Sequence, residues 1–388
     1  MLFFDKNKIL EDISENIDIT NTQKENIRSA YYAVGEYLDR DDSPIKKYTP
    51  TIFPQGSIAL GTVVKPVLKD ECDVDIVCLL EKLSSDTVSP ANVKQMVGKE
   101  LKGHGTYFKM LDKEGKRCWT LHYSDKANFH MDILPAIKQE SAILKQNTFS
   151  SYVEDAIKAT NKDPNTNLYS YIDTNPKGYI QWFRGKTIPE IKSSRMKILL
   201  ESMEQYPEHL RKMPLQRVIQ LFKRHRDVMF DGDENKPISI ILTTLSGHAY
   251  AGDTDVYIAA CKILKEMLKW IRVENNQYII LNPVCNNENF CDKWSEKPAK
   301  AKAFLEWHKK ITEDFQKIES NESNRAKLIN LLGEMFDTRT VNPVFDAEAQ
   351  KINTSMKEGL LAVDSKTGGL IPAGGSIPAM KIHRNFGE

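Results

Sequence analysis

The stretch Asp73-Val74-Asp75-Ile76-Val77-Cys78-Leu79-Leu80 limits the fold of this chain more than any other segment. It begins with alternating carboxylates and continues as an unbroken apolar run, which is typical of a strand buried on both faces of a sheet. Side chains along a strand alternate with a period of two, so Asp73 and Asp75 are expected to project from the same face. The sequence therefore predicts two neighbouring carboxylates at the start of a central strand.

A third carboxylate, Asp132, lies in a second predicted strand, Phe129-His130-Met131-Asp132-Ile133-Leu134. An acid inside such an apolar run is costly unless it is paired or binds a cation. Neighbouring carboxylates repel each other, and a divalent metal relieves that repulsion. If the two strands are adjacent, the three acids offer the oxygen ligands that two Mg²⁺ ions require, with Mn²⁺ as an expected substitute. Without Asp132, the Asp-Val-Asp pattern would more often be a strand end with solvated acids.

Gln55-Gly56-Ser57 precedes the acidic strand, where an extended segment is predicted to turn into a short helix. Glycine lets the backbone approach an anion, the start of a helix offers free N–H groups, and Ser57 adds a hydroxyl. A Gly-Ser pair by itself is usually a turn, but upstream of the acidic strand it predicts a phosphate site. The long gap between Ser57 and Asp73 predicts a loop near Val67 to Cys72.

The order of predicted elements is a helical N-terminus, a mixed α/β region and a long helical region. This order predicts an α+β fold with a ligand cleft between two lobes. Pro135 is expected to end the second acidic strand, and residues after about 150 are expected to be mostly helical, most clearly from Leu215 to Met229. The predicted units are an N-terminal helical segment bridging the lobes at 1–45, a catalytic core at 46–150, a mainly helical lobe at 151–363 and a flexible C-terminal tail at 364–388.

The charge balance narrows the class of function. The chain has 54 Lys and Arg against 53 Asp and Glu, whereas a protein that coats nucleic acid usually has a strong basic excess. No apolar stretch approaches the roughly 20 residues of a membrane span, and the N-terminus has no apolar region typical of a secretory signal peptide. We therefore expect a cytoplasmic protein that binds neither a membrane nor a long nucleic acid.

Together, these motifs resemble the DNA polymerase β-type nucleotidyltransferases. More closely, the chain resembles the bacterial CD-NTases, the cGAS/DncV-like nucleotidyltransferases of anti-phage systems. That resemblance covers about residues 50–295 and rests further on Gly178-Tyr179-Ile180-Gln181-Trp182-Phe183, Leu215-Gln216-Arg217, Phe222 to Asp227, Pro237 to Thr244, Asn282-Pro283-Val284, Glu288-Asn289-Phe290 and Asp292-Lys293-Trp294. It implies a polymerase β-like nucleotidyltransferase lobe with a mixed sheet, packed against a helical lobe.

The resemblance also implies roles for the matching positions. The metal ligands and catalytic residues would be Asp73, Asp75 and Asp132, and the nucleotide-binding residues would be Gln55, Gly56, Ser57, Lys223 and Ser239. From the residues alone, Lys223 also fits a solvated helix face and Ser239 a position near a helix cap. Core packing is the commoner role for the other residues that could reach a ligand, which are His130, Tyr179, Trp182 and Tyr250.

The implied activity is the Mg²⁺-dependent joining of NTPs, ATP among them, into a cyclic di- or trinucleotide second messenger, with release of pyrophosphate. A CBASS-type anti-phage system would supply a separate effector protein that binds the product. It would also supply a ubiquitin-transfer-like partner that acts on the C-terminus, His383-Arg384-Asn385-Phe386-Gly387-Glu388. A linear oligonucleotide synthase, an RNA-tailing nucleotidyltransferase and an inactive nucleotide-sensing scaffold stay open as alternatives. The balanced charge counts against tailing, and the intact acids count against a scaffold.

Overall fold

The computed structural model describes residues 5–67, 71–123, 128–139, 155–187, 212–322, 324–363 and 370–373. Within these ranges, one sheet contains six strands in the order β1-β2-β4-β5-β6, and β3 pairs with β4 beside β5. These strands are β1 (Pro50–Pro54), β2 (Cys72–Leu80), β3 (Trp119–Tyr123), β4 (Phe129–Lys138), β5 (Ile157–Lys162) and β6 (Tyr169–Thr174). The β2–β4 pair is parallel and the other pairs are antiparallel, so the sheet is mixed.

Helices precede the strands of the sheet, connect some of them, and form most of the described chain after β6. The first group is α1 (Lys6–Ile17), α2 (Asn21–Leu38), α3 (Gly56–Leu60), α4 (Pro90–Gly103), α5 (Gly105–Met110) and α6 (Pro176–Thr187). The second group is α7 (Pro214–Met229), α8 (Ser239–Ala249), α9 (Val256–Glu266), α10 (Lys293–Glu296), α11 (Pro298–Ser320), α12 (Arg325–Phe336) and α13 (Thr338–Lys357). Short strands complete the described chain: β7 (Arg272–Glu274), β8 (Gln277–Ile279), β9 (Leu281–Asn282), β10 (Cys285–Asn289), β11 (Leu361–Val363) and β12 (Leu370–Pro372).

The N-terminal helices contribute to different hydrophobic cores. Ile13 of α1 is buried in the core formed by the second group of helices, whereas Tyr31 and Val34 of α2 are buried in the core between the sheet and α4. The two helices are separated at Thr20, whose side chain caps α2 through a reciprocal pair of hydrogen bonds with Gln23. Residues 5–38 thus pack against both lobes, one helix on each.

Pro135 does not end the second acidic strand, and that prediction is wrong. The strand β4 continues to Lys138, and Pro135 pairs with Cys78 of β2. Along the other edge of β4, pairing with β3 stops at Ile133 and pairing with β5 starts at Ala136. Proline is tolerated there because the N–H that it lacks would lie where β4 pairs with neither β3 nor β5.

The prediction of helices after about residue 150 is wrong for β5 and β6, which complete the sheet at residues 157–174. Their sequences, IKATNK and YSYIDT, are too short and polar to show a buried-strand pattern. Of the predicted tail at 364–388, β12 pairs with β11, and the remainder, including the C-terminal segment proposed as a partner site, lies outside the described residues. None of the helices in the described part of the chain combines the length and apolar character needed to cross a membrane.

Candidate active site

The two acidic strands place their carboxylates side by side. In the parallel β2–β4 ladder, Asp75 pairs with Asp132 and Asp73 pairs with His130. Residues paired in a parallel ladder lie on the same face of the sheet, so all three predicted acids converge at one end of the two central strands. The sequence-based prediction that the acids meet on neighbouring strands is therefore confirmed.

Burial and nearby charges shift the pKa values of two carboxylates in this cluster, Asp75 and Asp73. Burial raises the pKa of Asp75 to about 7, and the nearby charges of Asp132 and Asp73 add to the shift. For Asp73, desolvation works in the same direction, but the hydrogen bond and charge of His130 outweigh it and hold its pKa below the ordinary value. A divalent cation would remove the repulsion that keeps Asp75 partly protonated near neutral pH.

The donor atoms are the oxygens that Mg²⁺ prefers, but each flanking carboxylate already has a partner. His130 Nε2 lies 2.7 Å from Asp73 Oδ1, and Thr120 Oγ1 donates a 2.6 Å hydrogen bond to Asp132 Oδ1. Within the described ranges, no three His, Cys, Asp or Glu side chains are grouped closely enough to hold a metal ion as they stand. The three carboxylates are thus ligands of the type that Mg²⁺ prefers. Their side chains would need small rotations to bind it.

His130 is a site residue that the sequence placed on the correct face but assigned to packing. Its hydrogen bond to Asp73 raises the pKa of His130 to about 9, and the charges of Asp73, Asp132 and Glu71 add to that effect. The imidazole is consequently protonated at neutral pH and supplies a positive charge next to the acids. In the sequence, the signal for this role was its position two residues before Asp132, which places both side chains on the same face of one strand.

Gly56 brings the start of α3 against the acids. Its φ is +61°, which favours glycine, and a Cβ added there would lie 2.2 Å from Asp75 Oδ2. The backbone N–H of Gln55 donates to the Asp75 carbonyl at 2.9 Å, which joins the turn to the end of the β1–β2 ladder. The Gly-Ser turn and the acidic strand therefore form one unit, as the sequence predicts.

A cavity of about 580 Å³ opens over this unit, between the sheet and the helical lobe. Six of the eight predicted site residues line it: Gly56, Ser57, Asp73, Asp75, Lys223 and Ser239. Gln55 and Asp132 are not among the lining residues: Gln55 is the residue that precedes α3, and Asp132 lies one strand further along the sheet. The cavity therefore brings together Asp73, Asp75 and the Gly56-Ser57 turn of one lobe with Lys223 and Ser239 of the other.

Lys223 is buried in the wall of this cavity, so the alternative of a solvated helix face is wrong. Its Nζ donates to the Thr62 carbonyl at 2.9 Å and lies 3.2 Å from Thr62 Oγ1. Burial lowers the pKa of Lys223 to about 7, and the nearby charge of Arg226 contributes. In this structure the lysine holds the chain at Thr62, while also lining the space over the acids.

Ser239 is the first residue of α8 rather than its cap. The cap position is Ile238, and no side chain caps the helix there, so the first N–H groups of α8 are free to meet an anion. Ser239 Oγ accepts a 2.8 Å hydrogen bond from Arg226 Nη1, which also donates to the Pro237 carbonyl at 3.0 Å. Arg226 and Lys236 both line the cavity; sequence analysis missed them as site residues, although Arg226 lies one helical turn from Lys223.

The three aromatic residues that in sequence could reach a ligand, Tyr179, Trp182 and Tyr250, have packing roles, and none lines the cavity. Tyr179 is buried and its hydroxyl lies 2.8 Å from Thr244 Oγ1. The Tyr250 hydroxyl donates to the Asp253 carbonyl at 2.6 Å. Trp182 packs against His248.

Comparison with known proteins agrees with this geometry. Residues 5–186 match the family model of the Second Messenger Oligonucleotide or Dinucleotide Synthetase domain. The chain is 28% identical over 360 residues to a c-di-GMP synthase of Roseivirga ehrenbergii, covering 90% of this chain and 89% of that protein. It is 21% identical over 412 residues to the cyclic dinucleotide synthase CdnG of Bradyrhizobium diazoefficiens, covering 98% of this chain and 94% of that protein.

The solved structure of the Bradyrhizobium CdnG in complex with GTP superposes with a TM-score of 0.66 at 18% identity. The match covers 88% of this chain and 99% of that one. At this identity the likeness establishes the fold, and the predicted α+β architecture with a polymerase β-like lobe is confirmed.

Proposed function

We propose that this chain is a bacterial CD-NTase that joins NTPs into a cyclic dinucleotide with release of pyrophosphate. The observation that carries the proposal is the register of the acids, with Asp75 beside Asp132 and within reach of Gly56 at the cavity. A nucleotidyl transfer needs a triphosphate site next to a carboxylate cluster, and the proposal is supported by the Gly56-Ser57 turn lining the same cavity as Asp73 and Asp75.

The chemistry is an in-line displacement at phosphorus. A ribose hydroxyl of one nucleotide attacks the α-phosphate of another, an O–P bond forms as the hydroxyl proton is lost, and pyrophosphate leaves with the electrons of the broken P–O bond. A second round of the same reaction closes the ring. Two Mg²⁺ ions, held by Asp73, Asp75 and Asp132, would neutralise charge on the reacting phosphate.

The residues of the chain bind and orient the triphosphate. Ser57 and the backbone at Gly56 offer hydrogen-bond donors on one side of the cavity, and the start of α8 offers N–H groups on the other. Lys236 and Arg226 also line the cavity, where both are paired with the Asp227 carboxylate. Their positive charge would be shared between that carboxylate and the β- and γ-phosphates. Catalysis then consists mainly of positioning and charge stabilisation.

The proposal also concerns which bases the substrate NTPs carry. The Roseivirga relative is named as a c-di-GMP synthase, which supports GTP as a substrate to test first, and ATP stays a prediction. A role in CBASS-type defence, with a separate effector for the product, is also proposed. A cytoplasmic location is proposed because the NTPs are there and all six cysteines are free thiols.

The test is incubation of the protein with each NTP and with all four, in Mg²⁺ or Mn²⁺, with products identified by mass spectrometry. A cyclic product resists phosphatase because it has no terminal phosphate, whereas a linear oligonucleotide is trimmed. Asp73→Asn and Asp75→Asn should each reduce turnover by about a thousandfold or more, and EDTA should abolish it.

Asp86→Asn is the matched control, since it makes the same chemical change at an exposed loop residue. It should retain wild-type turnover. Phosphatase-sensitive products would instead support the linear synthase. Full turnover in the Asp73 and Asp75 variants would refute the assignment of the site.

A further inference from the structure

One face of α7 carries a row of polar side chains that is buried rather than solvated. The row consists of Gln216, Gln220, Lys223 and Arg224, which are spaced at i, i+4, i+7 and i+8 and therefore lie on the same side of the helix. We call these four residues the latch row. The rest of α7 is packed into the helical-lobe core through residues such as Ile219 and Phe222.

Each member of the latch row donates a hydrogen bond to a backbone carbonyl in residues 60–67, which we call the cavity loop. Gln216 Nε2 donates to Leu60 at 2.8 Å, Gln220 Nε2 to Val63 at 2.6 Å, Lys223 Nζ to Thr62 at 2.9 Å and Arg224 Nη2 to Lys65 at 2.7 Å. Consequently, four carbonyls of a short loop in one lobe are held by one helix of the other lobe.

The cavity loop forms a wall of the site. It begins at the last residue of α3, and its residues Thr62, Val63, Val64, Pro66 and Val67 line the cavity. The opposite wall includes the start of α8, which α7 also holds, through the hydrogen bonds of Arg226 to Ser239 and to the Pro237 carbonyl. The spacing between the two walls is therefore set by side chains of a single helix.

The latch row is poorly explained by stability alone. Gln220 is completely buried, and among the described residues its Oε1 has no hydrogen-bond partner. Burying an amide with an unpaired acceptor costs free energy, and an apolar side chain of similar size would pack there at lower cost. A costly polar group that holds a binding-site loop is expected where position matters more than stability.

We propose that the latch row positions the cavity loop against the triphosphate of the bound NTP, with Gln216 and Gln220 as positioning residues. This inference rests on the proposed function, since it names how the same cavity holds its substrate. The loop would contact the triphosphate equally before and during the reaction. Loss of the latch should therefore raise KM and leave kcat nearly unchanged, because uniform binding affects KM alone.

The test uses Gln220→Met and Gln216→Met, which preserve side-chain length and remove the donor. For each, KM for the accepted NTP should rise about tenfold, the effect of one net hydrogen bond, while kcat stays within about twofold of wild type. Arg217→Met is the matched control on the same helix. Arg217 bonds to Ser14 and Glu15 of α1 and not to the cavity loop, so its KM should remain at the wild-type value.

Hydrogen exchange of the nucleotide-free protein gives a readout that needs no activity. Peptides covering residues 60–67 should exchange faster in Gln220→Met than in wild type or Arg217→Met, while peptides in the α7 core keep their protection. If wild type makes no product from any NTP, the proposed function fails, and the exchange measurement still decides whether the row holds the loop. Unchanged exchange at 60–67, or an unchanged KM in an active enzyme, overturns the proposal.

Discussion

Replacing Gly56 by alanine tests the contact between the Gly56-Ser57 turn and the acids. At φ +61° an L-residue is strained by roughly 1–2 kcal/mol. The added Cβ would also lie 2.2 Å from Asp75 Oδ2, and the carboxylate would have to move by about 1 Å to restore an ordinary contact. A misplacement of about 1 Å in a catalytic group can cost roughly a hundredfold in rate. We therefore expect Gly56→Ala to lower kcat by about a hundredfold.

Gly232→Ala is the matched control for backbone strain. Gly232 has a φ of +74° and lines the same cavity, but nothing lies within 4 Å of an added Cβ. Both variants should lose a similar amount of unfolding free energy in urea, about 1–2 kcal/mol, whereas the large loss of kcat should appear in Gly56→Ala alone. The assay is pyrophosphate release at saturating NTP and Mg²⁺. If the two variants have kcat values within about threefold of each other, the close approach of Gly56 to Asp75 does not serve catalysis.

Three further predictions concern buried or coupled charges. The side chain of Asp314 is buried against His225, and in spite of burial its ionic hydrogen bonds hold its pKa well below the ordinary 3.8. Asp314→Asn should thus cost about 3 kcal/mol in urea unfolding at pH 7, and the difference from wild type should shrink as the pH falls below about 4. His130→Gln should lower the Mg²⁺ concentration for half-maximal activity about tenfold, because it frees Asp73 from a charged hydrogen bond; an unchanged Mg²⁺ titration would count against competition between histidine and metal. Lys94→Met should lose about 2 kcal/mol of unfolding free energy, since the buried Nζ donates to two loop carbonyls; a stability equal to wild type would show that those carbonyls find other donors.

The acidic strand was predictable because its signal is local. Alternating acids followed by an apolar run predict a strand beginning at Asp73, and β2 begins at Cys72. The convergence with Asp132 needed only one further assumption, that the two strands are adjacent, and the parallel ladder bears this out. The alternation of side chains along a strand and the cost of burying a carboxylate are enough to predict such a pattern.

The strands β5 and β6 were not predictable in the same way. Their burial depends on pairing with β4 and on contact with α4 and β10, which are distant in sequence. Lys158 and Asp173 lie opposite each other on these strands and form an ion pair across them at 3.8 Å. Polar pairs of this kind remove the alternation on which strand prediction relies.

The polar face of α7 shows most clearly why sequence patterns misjudge an interface between lobes. Gln216, Gln220 and Lys223 are spaced as a polar stripe, and the ordinary rule assigns such a stripe to solvent. Their acceptors are backbone carbonyls of residues 60–63, and a carbonyl leaves no signature in the sequence because every residue has one. Residues 60–67, which in sequence resemble part of a spacer between Ser57 and Asp73, therefore form a wall of the candidate site, and the position of that wall depends on side chains more than 150 residues away.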